Sequence, residues 1–399
     1  MRAFPIPRDR PLHPPTGIDD LRRHCPVARV RLWNGEPAWL LTRHEDVRSA
    51  FADERLSADA ARPGYPHVTA ASAVGRGMLP NFMVMDDPEH RRLRELFLPD
   101  FMPGPLAARR ADLQAIVDAR IDALLRSPQP ADLLAVFARP IPALALAAIM
   151  GLEITQAGAL LDHVLVILRQ ESSREQAAAA NRGLIEFLDA WIEAKLAAPG
   201  PDMISRLASQ LRAGALSRQD VLGCLRQLFL AGQDSTASTL TLGALLLLEH
   251  PDQLAALTAR DEPALWAGAV EEIVRFTSVT HFGRRRVARA DLEIAGQPIL
   301  AGEGLILAET FANRDGAVFP DPDGFDVFRS NSRVHLGFGH GGHHCLGAHL
   351  ARMELTLGLS TLFRRVPGLR LACSFEDLVF QDGLTIYGVE SLPVAWPAG

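Results

Sequence analysis

The sequence predicts a mainly α-helical protein with small β-sheets near its two ends. Three observations carry that expectation. Aromatic residues are few, at 6%, while Ala and Leu, which favour helix, are plentiful. An amphipathic period of about 3.6 runs almost unbroken from residue 88 to 275. Strand-like alternation with Gly turns is confined to 30–42, 283–307 and 369–396. A 48% hydrophobic and 22% charged composition is ordinary for a globular chain with a sizeable core. No repeat, low-complexity linker or charge block divides the 399 residues, so one large domain over 1–399 is expected.

Taken in order, the Pro- and Arg-rich residues 1–16 are expected to be extended, and a short helix to follow near 17–24. VRLWNGEPAWLLT (30–42) alternates around Asn34-Gly35, the signal of a two-residue hairpin turn. A helix is expected over 44–52 and a long loop over 53–85, of a length that usually serves function. Pro88 suits the start of a helix, and helical segments follow near 105–126, 130–150, 155–170, 173–198 and 202–212. The segment 217–249 is apolar nearly all round, the mark of a buried central helix, and His250-Pro251 ends it. Helices over 251–259 and 262–276, an irregular stretch over 314–335 and a last helix near 346–365 complete the pattern.

Composition excludes several classes. A formal net charge of −6 argues against nucleic acid as a partner. The start MRAFPIPRDRPLHPP has no apolar signal region. LLAVFARPIPALALAAIMGL is broken by Arg139, Pro140 and Pro142, and LTLGALLLL is too short to span a bilayer. The four cysteines are scattered without a C-x-x-C pair, as expected of reduced thiols in a cytoplasmic protein.

The stretch LGFGHGGHHCLGAHLARMEL (336–355) concentrates the chemistry. Cys345 precedes a helix whose apolar positions are Leu346, Leu350, Met353 and Leu357. Unpaired N–H groups and the positive end of the helix dipole favour a thiolate there. Gly339, Gly341, Gly342 and Gly347 let backbone approach something flat and large, and Phe338 is placed to cover the sulfur. Three other readings stand beside this one: a buried small hydrophobe, a zinc ligand with His340, His343 and His344, and a nucleophilic thiol with a histidine base.

FGHGGHHCLG resembles the haem-binding loop of the cytochrome P450 family, Phe-Gly-x-Gly-x-(Arg/His)-x-Cys-x-Gly, with Phe338, Gly339, Gly341, His343, Cys345 and Gly347 in its fixed positions. The resemblance implies a P450 fold, with haem b buried between the central and C-terminal long helices. It makes Cys345 the axial ligand of the haem iron and places His343 at a propionate. His340, His344 and His349 then fall at variable positions and read as surface residues.

Four more segments resemble the family in the right order. In LFLAGQDSTAS, Ala231-Gly232 matches a small pair that clears the haem face. Asp234-Ser235 matches an acid–alcohol pair that holds water and relays protons to dioxygen. The commonest family pattern has Thr where this chain has Ser235, so the hydroxyl is kept and the methyl that fixes its rotamer is lost. The alternative for Ser235 is a bond back to its own helix carbonyl. Glu272-x-x-Arg275 in VEEIVRF matches a buried structural pair, with Arg329 as candidate third member. His90 and Arg94 in DPEHRRLREL, four apart on one helix face, and Arg286 in GRRRVARAD match propionate ligands.

The family reading implies a haem-thiolate monooxygenase of secondary metabolism, inserting one atom of dioxygen into a lipophilic small molecule. No flavin or iron–sulfur module is recognisable, so a separate ferredoxin and ferredoxin reductase are expected as electron donors, with Arg91, Arg92, Arg109, Arg110, Arg364 and Arg365 as a candidate basic docking face. A monomer is expected. Pocket candidates by position are Leu79, Phe82, Met83, Leu228, Ala231, His281, Phe282, Thr385 and Ile386. His281 is the polar member, directed either at substrate or at water. Two rivals share the haem: a nitric oxide reductase fed directly by NADH, against which stand Ala58 and Ala60 where basic residues are expected, and a non-catalytic haem protein, against which stands the Asp234-Ser235 pair.

Overall fold

The computed structural model describes residues 1–69, 79–152, 157–168 and 173–397. The expected boundary near 170 and part of the 53–85 loop lie outside them. Among the described residues, eleven strands form three sheets: β1 (Arg2–Ala3), β2 (Val27–Arg31), β3 (Pro37–Leu41), β4 (Leu56–Ser57), β5 (Ala131–Asp132), β6 (Arg284–Ala288), β7 (Leu292–Ile294), β8 (Gln297–Ile299), β9 (Gly304–Leu307), β10 (Arg370–Leu371) and β11 (Pro393–Ala395). The largest has the order β1-β2-β3-β9-β6-β4, parallel at β1/β2 and β3/β9. Strands far apart in sequence therefore meet in one sheet. β10-β11-β5 and the β7-β8 hairpin are separate.

The helices are α1 (Ile18–His24), α2 (His44–Ala52), α3 (Glu89–Phe97), α4 (Pro103–Ala108), α5 (Arg110–Arg126), α6 (Pro140–Met150), α7 (Ala157–Leu168), α8 (Arg174–Ala197), α9 (Met203–Arg212), α10 (Arg218–Glu249), α11 (Pro251–Arg260), α12 (Pro263–Thr277), α13 (Glu309–Ala312) and α14 (Ala348–Arg365). α10 starts at Ser217, whose hydroxyl accepts the Asp220 N–H at 3.1 Å, and ends at His250, before Pro251. It is buried along most of its length in one continuous core that also takes in α5, α6, α12 and α14. None of the helices is long and apolar enough to cross a membrane, among the described residues.

Three local expectations are corrected. The 30–42 hairpin closes through five residues rather than two, because Arg31 pairs with Pro37 and Leu32 N–H reaches the Glu36 carbonyl at 2.8 Å. The 105–126 helix breaks at Arg109, whose ψ of 0° leaves the helical region. The 130–150 segment divides into a strand, a π-turn over Leu134–Ala138 and α6. Pro140 and Pro142 have no N–H to donate, and the turn before them widens, with Arg139 N–H bonded to the Leu134 carbonyl at 2.8 Å.

Candidate active site

The Cys345 loop leads into α14 at its N-terminus. Cys345 N–H donates to the Phe338 carbonyl at 2.8 Å, closing the loop into a hairpin-like turn. The Gly347 amide is directed at the sulfur and favours the thiolate, as do the charges of Arg284, Arg94 and Arg352. Burial outweighs them and pushes the thiol up. A cation at the sulfur would offset that burial and favour the thiolate. Gly339 and Gly341 both have φ of 70°. A Cβ on Gly341 would lie 2.8 Å from the Phe51 carbonyl of α2. That glycine is thus required by the approach of α2, whereas a Cβ on Gly347 would meet only open space.

Basic side chains from α3 and β6 converge beside this loop and its own His343. His90 of α3 and His343 stack with ring centroids 4.0 Å apart. His90 Nδ1 bonds Asp87 at 2.9 Å, and its Nε2 is buried with no partner. Arg94, one turn on, donates to the His344 carbonyl at 2.6 Å. β6 supplies Arg286. The strand period of two puts Arg284 and Arg286 on one face. Arg284 is taken up by the buried Glu309 at 3.1 Å. Arg286, 6% exposed, donates only to the adjacent Arg285 carbonyl, at 2.8 Å, among the described residues. Burial first, then Arg286, His90 and Arg94, pushes His343 down to about 3. The buried Arg286 guanidinium and the orphaned His90 nitrogen are costly by themselves. The carboxylates of a bound dianion would remove that cost, so the residues present fit haem.

α10 packs against α14, the helix into which the Cys345 loop leads. Within its buried run, Gln227, Leu230, Ala231, Gly232, Asp234, Ser235 and Ser238 keep accessible surface, a stripe of helical period that lines interior space. A Cβ on Gly232 would sit 3.0 Å from Leu146, so α10 and α6 pack closely there. Ser235 donates to the Ala231 carbonyl at 2.7 Å, the back-bonded arrangement. Its oxygen remains free to accept a water. Burial raises Asp234 above the usual carboxylate range, and Arg139 partly offsets this.

Other sequence-predicted residues divide. Glu272 and Arg275 are fully buried and bonded at 2.7 and 2.8 Å, with Arg329 on Glu272 at 3.1 Å. Leu79 and Met83 are half-buried and Leu228 is 9% exposed. Phe82 is packed in the helical core beside Phe97, and Phe282, 1% exposed, is packed against Phe4 in the sheet core. Neither ring has surface left to offer a substrate. His281 is directed neither to substrate nor to water: its Nε2 bonds the Leu384 carbonyl at 2.6 Å, tethering the turn that carries exposed Thr385 and half-buried Ile386. Burial and Arg8 push His281 down to about 4. His340 and His344 are half-buried and His349 exposed. Among the described residues no three His, Cys, Asp or Glu side chains group as a metal site.

Five of the six docking-face arginines are paired within the chain: Arg91 with Asp87, Arg92 with Asp220, Arg109 with Asp112, Arg364 with Asp261, and Arg365 with Asp118 and Asp122. The face is therefore less positive than its arginine count suggests.

Residues 264–366 match the sequence profile of the family Cytochrome P450. Cytochrome P450-SU2 of Streptomyces griseolus is 40% identical over 398 residues, which cover 99% of this chain and 97% of that one. The chain belongs to the cytochrome P450 family. Pentalenic acid synthase of Streptomyces avermitilis is 39% identical, covering 99% and 97% of the two chains. The crystal structure of GfsF superposes with a TM-score of 0.96 at 36% identity, covering 99% and 100%. This P450 is accordingly a haem-thiolate monooxygenase that uses dioxygen, a lipophilic substrate and electrons from a redox partner.

Sequence reasoning passed over several groups of this P450. Gln233 donates to the Arg139 carbonyl at 2.5 Å, tying α10 to the π-turn beside Asp234. Glu271, His335 and Arg352 form a second buried network next to the Cys345 loop. Glu271 adjoins the Glu272 motif in sequence, but nothing in the spacing links it to the other two.

Proposed function

We propose that Cys345 is the axial thiolate ligand of haem b, that His90, Arg94, Arg286 and His343 hold its propionates, and that Asp234 and Ser235 deliver protons. The observation that carries this reading is the convergence of His90, with its orphaned Nε2, buried Arg286 and half-buried Arg94 on His343 of the Cys345 loop. When bound, haem supplies the oxygen-activating chemistry, and a thiolate ligand pushes electron density toward O–O cleavage. The chain does the rest. Arg286 and Arg94 neutralise carboxylates, and Phe338 shields the sulfur from water. Ser235, its proton committed to the Ala231 carbonyl, accepts a bond from water. Asp234, biased by burial toward its protonated form, holds a proton next to that water.

The substrate is a small lipophilic metabolite received among Leu79, Met83, Leu228, Ala231 and Ile386, within a wall tethered by His281. Pentalenic acid synthase, a relative of similar length, supports a role in secondary metabolism. A ferredoxin with its reductase supplies electrons to a monomeric, cytoplasmic enzyme. Given the internal pairing of the arginines, docking rests on local shape as well as charge. Charge reversal at Arg92 tests the electrostatic part: slower reduction by ferredoxin is expected, and an unchanged rate removes Arg92 from the face.

The absorption spectrum of the reduced, carbon monoxide-bound protein tests the central claim. A strongly red-shifted Soret band is expected in the wild type, together with its loss in Cys345→Ser. A wild-type protein without that band refutes thiolate ligation.

A further inference from the structure

Glu271 and Glu272 are adjacent on α12 and are both buried, yet they serve different partners. Glu272 belongs to the Arg275–Arg329 network. Glu271, 6% exposed, accepts Arg352 Nε at 2.6 Å on one oxygen. On the other it accepts Arg352 Nη2 at 3.1 Å and His335 Nε2 at 2.9 Å. His335 Nδ1 accepts the Gly337 N–H at 3.0 Å, so the ring proton is on Nε2 and points at Glu271.

Both partners of Glu271 flank Phe338. The Arg352 guanidinium carbon lies 4.4 Å from the Phe338 ring centroid, a cation–π distance. The His335 ring is 5.6 Å from it, tilted by 46°. Phe338 in turn accepts the Cys345 N–H at 2.8 Å through its carbonyl. One carboxylate thus restrains a ring from two sides, and the backbone of that ring's residue holds the cysteine. The same carboxylate neutralises Arg352, whose charge acts on the Cys345 sulfur.

From this geometry we infer that Glu271 is a positioning residue for the thiolate loop: through His335 and Arg352 it clamps Phe338 and sets the electrostatic field at the cysteine. The inference rests on the reading of Cys345 as the haem ligand. Without Glu271 the loop loses its anchor, and an unneutralised guanidinium is left over the Phe338 ring, with its charge acting on the cysteine. An added positive field favours the reduced iron over the oxidised.

The test uses the haem-loaded protein. In Glu271→Gln, the ferric/ferrous reduction potential is expected to move positive, and the peptide containing the Cys345 amide to exchange hydrogen about tenfold faster or more, as suits the loss of charge-assisted bonds. Arg352→Gln is expected to lack the positive shift, and the double variant to return toward the wild-type potential, because cation and anion leave together. Glu271→Asp is expected to recover part of both effects. A merely structural carboxylate would change the exchange but not produce the charge-dependent pattern of potentials. Unchanged potential and exchange in Glu271→Gln, with the red-shifted carbon monoxide band intact, overturn the inference. Absence of that band in the wild type overturns the ligand reading instead. If Glu271→Gln does not retain haem, Arg352→Gln carries the test: a potential moved negative with faster Cys345 exchange supports the inference, and an unchanged potential refutes it.

Discussion

Replacing Glu272 by Gln probes what holds the segment before the cysteine loop. Glu272 Oε1 accepts Arg275 Nη2 at 2.8 Å, Arg329 Nε at 3.1 Å and Asp326 N–H at 3.0 Å, while Oε2 accepts Arg275 Nε at 2.7 Å. Gln can keep one oxygen, but its amide nitrogen then confronts a donor. Arg275, with no exposed side-chain surface, is left without a counter-charge. Its remaining bonds are to the Asn313, Pro322 and Gly324 carbonyls, and dipoles do not replace a carboxylate. Removing one partner of a buried pair costs about 3–5 kcal/mol. That is a large share of the roughly 5–15 kcal/mol by which domains are stable. The loss falls locally, because the partners span only 313–329. Hydrogen exchange of the peptides covering 313–329 is therefore expected to accelerate by roughly a hundredfold to several thousandfold, with thiolate ligation lost as the neighbouring loop loosens. Acceleration below about threefold would refute the claim that the pair holds this segment.

Three further outcomes follow from the site. Arg286→Gln removes a buried cation that has no carboxylate partner among the described residues. Haem is expected to dissociate about tenfold faster or more, as measured by transfer to a haem scavenger, and an unchanged rate would remove Arg286 from the propionate site. In Arg139→Gln, Asp234 loses the charge that opposes its burial, so its already raised carboxyl should rise further. The protonated-carboxyl infrared band, assigned by its absence in Asp234→Asn, should persist to higher pH than in the wild type, and a shift to lower pH would contradict the assignment. Glu271 is held down to about 2 although burial opposes it, chiefly by His335 and then Arg352. A depressed carboxyl stabilises fully above its unfolded value and loses that contribution as pH falls through the folded one. Wild-type stability should therefore decline between about pH 4.5 and 2 more steeply than that of Glu271→Gln, and parallel acid-denaturation curves would count against it.

Much of this was legible in the sequence, for identifiable reasons. The long central helix follows from an apolar run framed by Ser217 and Pro251, both local signals. The Cys345 loop is legible because residue types at close spacing must act together on one flat ligand. The Glu272–Arg275 pair is one helical turn apart, so its contact needs no knowledge of the fold. Where reading failed, the deciding contact was remote or turned on direction. Phe282 and Phe82 have the composition of pocket residues, but neighbouring elements bury them. His281 is claimed by the Leu384 carbonyl, about a hundred residues away.

The sequence by itself determined the helical architecture, the ligand cysteine's candidacy and the order of the supporting motifs, because each is written in local spacing. Only the tertiary structure decided which charges remain unspent. Arg284 and Arg286 are equivalent on paper, but Glu309 takes the first and leaves the second for the site. The basic face is largely neutralised by carboxylates distant in sequence. Glu271, an unremarked neighbour of a familiar pair, joins two residues more than sixty positions away to the cysteine loop. Burial and pairing set what a charge can do, and both are properties of packing across elements rather than of any stretch of chain.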